Sequence, residues 1–107
     1  WQAQLGAATA VPAARDDAVR SLALLQQAHA TEPGNTRFAQ GVARARMLLG
    51  QLSLANGQPR DAAAHAQAAQ AVLAPVWASA PSEPVRVLHA QLQLLQGDVA
   101  GANADPD

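Results

Sequence analysis

Leu49-Gly50-Gln51-Leu52-Ser53-Leu54-Ala55-Asn56-Gly57-Gln58-Pro59-Arg60-Asp61-Ala62 is the stretch that decides the fold. Leu49 and Leu52 close an apolar stripe that begins at Phe38 and passes through Val42 and Ala45, at the three- and four-residue steps of one helix face. Asn56-Gly57-Gln58-Pro59 is a turn cluster, and Pro59 suits the first turn of a following helix, where its missing N–H has no intrahelical partner to lose. The stripe then resumes through Ala62, Ala66, Ala69, Leu73 and Trp77. Two helices joined by a tight reversal result. Small residues at Gly50, Ala62 and Ala69 allow their backbones to approach closely, and Gly57 permits the reversal.

Working outward, Val11-Pro12, Glu32-Pro33-Gly34-Asn35, Ala80-Pro81-Ser82-Glu83-Pro84 and Gln96-Gly97-Asp98 punctuate the rest of the chain. These breaks predict helices over 13–31, 36–56, 58–80 and 85–96, with a weaker short helix over 1–10 and a frayed tail after Gly101. Ala18, Leu22, Leu25 and Ala28 form the inward stripe of the first long helix, and Val85, Leu88, Leu92 and Leu95 that of the last. Leu48 and Ala55 widen the stripe of 36–56, which marks that helix as central, buried on more than one side. Pro75 is expected to kink or end the helix that contains it. About a quarter of the chain is alanine, the strongest helix former, whereas β-branched residues are few and Trp1, Phe38 and Trp77 are the aromatic residues. The fold class is therefore all-α, with five or six helices arranged as antiparallel hairpins.

The segments also repeat. Leu5-Gly6 to Ala18, Leu49-Gly50 to Ala62 and His89-Ala90 to Ala102 share one spacing, and Gly57 and Gly97 occupy matching places in the second and third copies. The second copy follows the first by 44 residues and the third follows the second by 40, within the range of paired-helix arrays. Leu49-Gly50, Gly57, Ala62, Ala69 and nearly Pro75 stand at the spacings of a tetratricopeptide repeat, which the chain resembles. Departures are plain as well: Arg46, Ser53 and Ala66 stand where that family usually carries large aromatic residues, and about ten residues from Thr36 precede the second copy. The resemblance implies a single TPR-like solenoid domain over 1–107, with copies near 1–35, 36–80 and 81–107, the last cut short. Since the sequence opens at Trp1 rather than Met, it is expected to be a piece of a longer chain, from which a leader, anchor or upstream domain has been cut away.

Charge and composition narrow the function. A formal net charge of -1, with every cation an arginine, gives no general hold on nucleic acid or anionic lipid. No apolar run approaches the ~20 residues of a membrane span, and with no cysteine there is neither a disulfide framework nor a thiolate metal site. That absence fits cytoplasm and periplasm equally. His29, His65 and His89 fall on different helices and never at the i, i+4 spacing that offers two imidazoles to one metal. Asp16 and Asp17 are adjacent, hence about 100° apart around a helix, and suit its positive N-terminal end better than paired acid–base work. Ser21, Ser53, Ser79 and Ser82 have no histidine and acid at a motif-like spacing, and Gly50 and Gly57 stand alone rather than in a phosphate loop. No enzyme activity and no cofactor are expected.

Arginine is the remaining chemistry. Arg37 and Arg44 lie seven residues apart and share a helix face, while Arg46 points nearly opposite to Arg44. Arg46 and Arg86 occupy equivalent places in the second and third copies. In the family this face of each first helix lines a concave groove, so the resemblance implies a trough of Arg46, Ser53, Asn56, Arg86, His89, Gln93 and Gln96, suited to an extended acidic peptide or a C-terminal carboxylate. The family's carboxylate clamp does not carry over, because Leu49, Ser53 and His89 replace its lysine and asparagine. The expected role is a protein-interaction or scaffolding module with a protein or peptide partner. The alternative is a purely structural solenoid extension of a larger bacterial signalling protein, such as a serine/threonine kinase. Because the third copy ends early, part of the Val85, Leu88, Leu92 and Leu95 stripe is expected to lie exposed together with Val87 and Leu94, and to be covered by self-association, a folded-back tail or further chain.

Overall fold

The computed structural model describes residues 2–79 and 82–104, with side chains from residue 13 onward. Trp1, Ala80, Pro81 and residues 105–107 lie outside the described residues, and so do the side chains of residues 2–12, Leu5 at the start of the first copy among them. Four helices and no strand make up the described residues: α1 (Gln2–Thr31), α2 (Thr36–Ala55), α3 (Pro59–Ser79) and α4 (Glu83–Ala104).

The hairpin read from residues 49–62 is formed by α2 and α3. At its turn Gly57 adopts φ +72°, the left-handed conformation that a side chain disfavours. Its N–H donates to the Leu54 carbonyl at 3.1 Å, while the Gln58 N–H reaches the Ser53 carbonyl at 2.8 Å. These two bonds are the Schellman closure of a helix end, and they satisfy carbonyls that α2 would otherwise leave unpaired. At the opposite end of α2, Asn35 Oδ1 accepts from the Arg37 N–H at 3.0 Å and caps the helix start.

Helix α2 is central, as its wide stripe predicts, and packs against α1, α3 and α4; α3 also packs against α4. Among the described residues α1 lies against α2, and Val72 of α3 packs on the cluster the two helices share. The α2–α3 seam is lined by small side chains, with Ala39, Ala43, Ala62, Ala66 and Ala69 all buried. Larger ones, Leu73, Val85, Leu88 and Leu92, fill the space toward α4. A second cluster of Ala18, Leu22, Val42, Ala45 and Leu49 joins α1 to α2. Gly50 lies where these layers converge: a Cβ there would meet Leu95 Cδ2 at 3.0 Å, the Ala62 carbonyl oxygen at 3.5 Å and His65 Cβ at 3.6 Å.

Several expectations are corrected. The breaks at Val11-Pro12 and at Gln96-Gly97-Asp98 do not occur, so the helices number four rather than five or six among the described residues. Pro12 removes one hydrogen bond of a 30-residue helix whose alanine-rich flanks favour helix on both sides. Gly97 is helical because tertiary contacts hold the turns beyond it: Val99 is buried in the core, and Asn103 Nδ2 donates to the Pro59 carbonyl at 3.1 Å. For the same reason the tail is helical to Ala104. Helix α3 continues past Pro75 to Ser79, because Ala71, whose carbonyl loses the Pro75 N–H, is exposed to water.

The stripe of α3 also drifts. After Leu73 the next buried residue is Val76, three residues on, so Trp77 stands 37% exposed instead of pointing inward. Its ring stacks on His89 of α4, with centroids 4.0 Å apart and planes 13° from parallel. The α4 stripe departs in the other direction: Val85, Leu88, Leu92 and Leu95 are all buried, whereas Val87 and Leu94 are exposed as expected. Leu25, Phe38 and Leu52, on the inward stripes, are half-buried.

Candidate functional site

The seven residues of the expected trough fall on three different surfaces. Arg46 is half-buried on the α3 side of α2, where its Nη1 donates to His65 Nδ1 at 3.4 Å. Arginine has only donors, so the imidazole must be neutral with its proton on Nε2. Burial, and after it the Arg46 guanidinium, holds the His65 pKa below its ordinary value of 6.5; Arg15 acts the same way, while Asp61 opposes them. Ser53 is buried on the same seam. Asn56 is the exposed C-cap of α2.

On α4, His89 is half-buried under Trp77, and Gln96 Nε2 donates to Gln70 Oε1 of α3 at 3.1 Å. Arg86 and Gln93 are exposed on the same flank of α4, at three- and four-residue steps from His89 and Gln96. Arg46 and Ser53 are thus taken up by α3, and no open trough gathers all seven. Among the described residues no group of three His, Cys, Asp or Glu side chains lies close enough to hold a metal ion. No helix is long and apolar enough to cross a membrane.

A different concavity is open. Between α1 and α2 runs a groove of about 690 Å³, floored by Ala18, Leu25, Phe38, Gly41, Ala45 and Leu48. Leu25 forms part of the floor because Gly41 lets it lie flat: a Cβ on Gly41 would come within 2.8 Å of Leu25 Cδ2. Asp17 and Ser21 edge the groove on α1, and Arg37 and Arg44 edge it on α2. Their seven-residue spacing, read as a shared face, places both guanidinium groups on one rim. Leu48 is 42% exposed, so the apolar width that marks α2 as central is only partly used by the described chain.

A smaller groove of about 420 Å³ lies between α2 and α4, lined by Arg44, Glu83, Pro84, Val87, Leu88 and Gln91. It is the more polar of the two, with Arg44 and Glu83 of opposite charge facing it.

Sequence reading misses the α1–α2 groove as a site although its components are visible. Leu48 stands out as surplus apolar surface on α2, and Arg37 and Arg44 as a pair, but the depth depends on Gly41 and Leu25 meeting across two helices. Compared with known protein families, curated protein sequences and solved structures, the chain matches none.

Proposed function

We propose that the chain is a protein-interaction module of tetratricopeptide-like, stacked-hairpin architecture that seats a helical segment of a partner protein in its α1–α2 groove. The observation that carries this reading is the groove itself: an apolar floor, about 690 Å³ in volume, with charge confined to its edges. A groove of this form suits the apolar face of an amphipathic helix, whose polar face remains in water. Arg37 and Arg44 on one rim favour a segment with acidic residues along the adjoining edge. Support for the stacked architecture comes from the order of packing: each helix lies against the next, and α4 also returns to α2.

The structural reading has its own support, since Arg46 and Ser53 are engaged within the chain rather than displayed. On that view the module extends a larger protein and recognises nothing. A screen of amphipathic helical peptides, with acidic and neutral flanks, separates the two. Wild type is expected to bind a subset with acidic flanks and Leu48→Glu to lose them; equal binding by both proteins, or by neither, contradicts the interaction reading.

A further inference from the structure

The chain's internal repeat identifies an occupant for the groove. Positions 40 apart relate α2 to α4, and positions 44 apart relate α1 to α3. On α2, Ala43, Met47 and Gly50 are buried against α3 and α4, and Leu54 packs on the same core. Their counterparts on α4 are Glu83, Val87, Ala90 and Leu94, all exposed, with Val87 at 50% and Leu94 at 72%. Helix α4 therefore presents, bare, the face that α2 buries.

The groove shows the complementary relation. The core that α2 shares with α3 and α4 contains Ala62, Ala69, Val85 and Leu88, His65 meets Arg46, and Leu95 reaches Gly50. The counterparts of Ala62, His65, Ala69, Val85 and Leu88 are Ala18, Ser21, Leu25, Ala45 and Leu48, and all five line the open groove, whereas Ala55, the counterpart of Leu95, does not. The chain thus carries an unseated helix at one end and an unfilled seat of matching register at the other.

From this we infer that α4 of one copy docks in the α1–α2 groove of a second copy, head to tail, as α2 docks on α3 and α4 within the chain. Charge fits the same register. Arg46 meets His65, with Asp61 one turn earlier on α3. The equivalent Arg86 is exposed and is brought opposite Ser21 and Asp17 on the groove edge of the neighbouring copy. Helix length fits as well. Where the hairpin must turn at Gly57, α4 continues straight through its counterpart Gly97 to Ala104, and α1 extends ahead of Pro12 to Gln2. Those extra turns lie at the same end of the intermolecular pair. Such an interface is heterologous, so each addition leaves one seat and one helix free, and assembly proceeds beyond the dimer.

This inference rests on the groove accepting a helix, and self-association tests it separately from the peptide screen. The experiment is sedimentation over a wide concentration range for wild type, Leu94→Glu, Leu48→Glu and an equimolar mixture of the two variants. Both substituted leucines are exposed, so each variant keeps its fold, which circular dichroism verifies. Wild type is expected to exceed the dimer mass as concentration rises, and each variant alone to remain monomeric. The mixture is expected to form dimers and nothing larger, because one intact seat meets one intact helix. Arg86→Asp is expected to weaken association roughly fivefold, with recovery on mixing with Asp17→Arg. A monomeric wild type overturns the inference even if peptides bind the groove. So does a mixture that fails to pair, the outcome of a closed, two-fold symmetric dimer.

Discussion

At Gly50 three helices converge on a position with no side chain, and the distances leave little room for one: Leu95 Cδ2 and the Ala62 carbonyl both lie within 3.5 Å of a Cβ built there. Gly50→Leu is therefore expected to cost more than ~2 kcal/mol, since overpacking must part α2 from α3; an unchanged melting temperature contradicts the close crossing. Gly57 acts through the backbone instead. Nothing lies within 4 Å of its Cβ position, yet φ is +72°, so Gly57→Ala is expected to lose about 1–2 kcal/mol in chemical denaturation without any steric clash. His65 gives the fold a pH dependence. Its folded pKa lies below the ordinary value of 6.5, so the unfolded chain takes up the proton first. The associated stability is present above that value and is lost as pH falls through the folded pKa. Denaturation midpoints measured from pH 7.5 down to 5 are expected to decline for wild type and to decline less for His65→Gln; parallel curves contradict the assignment.

Element by element, the parts that sequence makes legible are those governed by local chemistry. The α2–α3 hairpin follows from Gly57, Pro59 and the small residues of its seam, and the α4 core stripe from four residues at helical steps. The ends of α1 and α4 follow from neither. Pro12 and Gly97 are breakers by propensity, but a helix obeys them only when nothing outweighs their cost of about 1–3 kcal/mol, and at Gly97 the buried Val99 and the Asn103–Pro59 hydrogen bond do so from across the chain. Trp77 is misplaced for a related reason: continuing the stripe by four residues after Leu73 selects it, whereas packing against α4 selects Val76. Val99→Ala is expected to remove about 1–2 kcal/mol and to unwind the turns after Gly97 selectively. Loss of helical amide protection confined to 97–104 confirms that origin; protection retained there shows the extension to be intrinsically helical.

For the whole molecule, 47 × 30 × 21 Å in extent, the proposed docking draws on what the packing leaves unfinished. The expected arginine trough is not a single surface, because its face of α2 is the one that α3 covers, while on α4 His89 and Gln96 touch α3 and Arg86 and Gln93 lie exposed. Sequence suggests a repeat, but which helix faces are covered depends on where the helices begin and end. Hydrogen exchange followed at low and high protein concentration localises the docking face directly. At high concentration, added protection is expected along residues 14–25 of α1, 37–48 of α2 and 83–94 of α4, with α3 unchanged. Protection that arises on α3, or none at any concentration, contradicts head-to-tail docking through the α1–α2 groove.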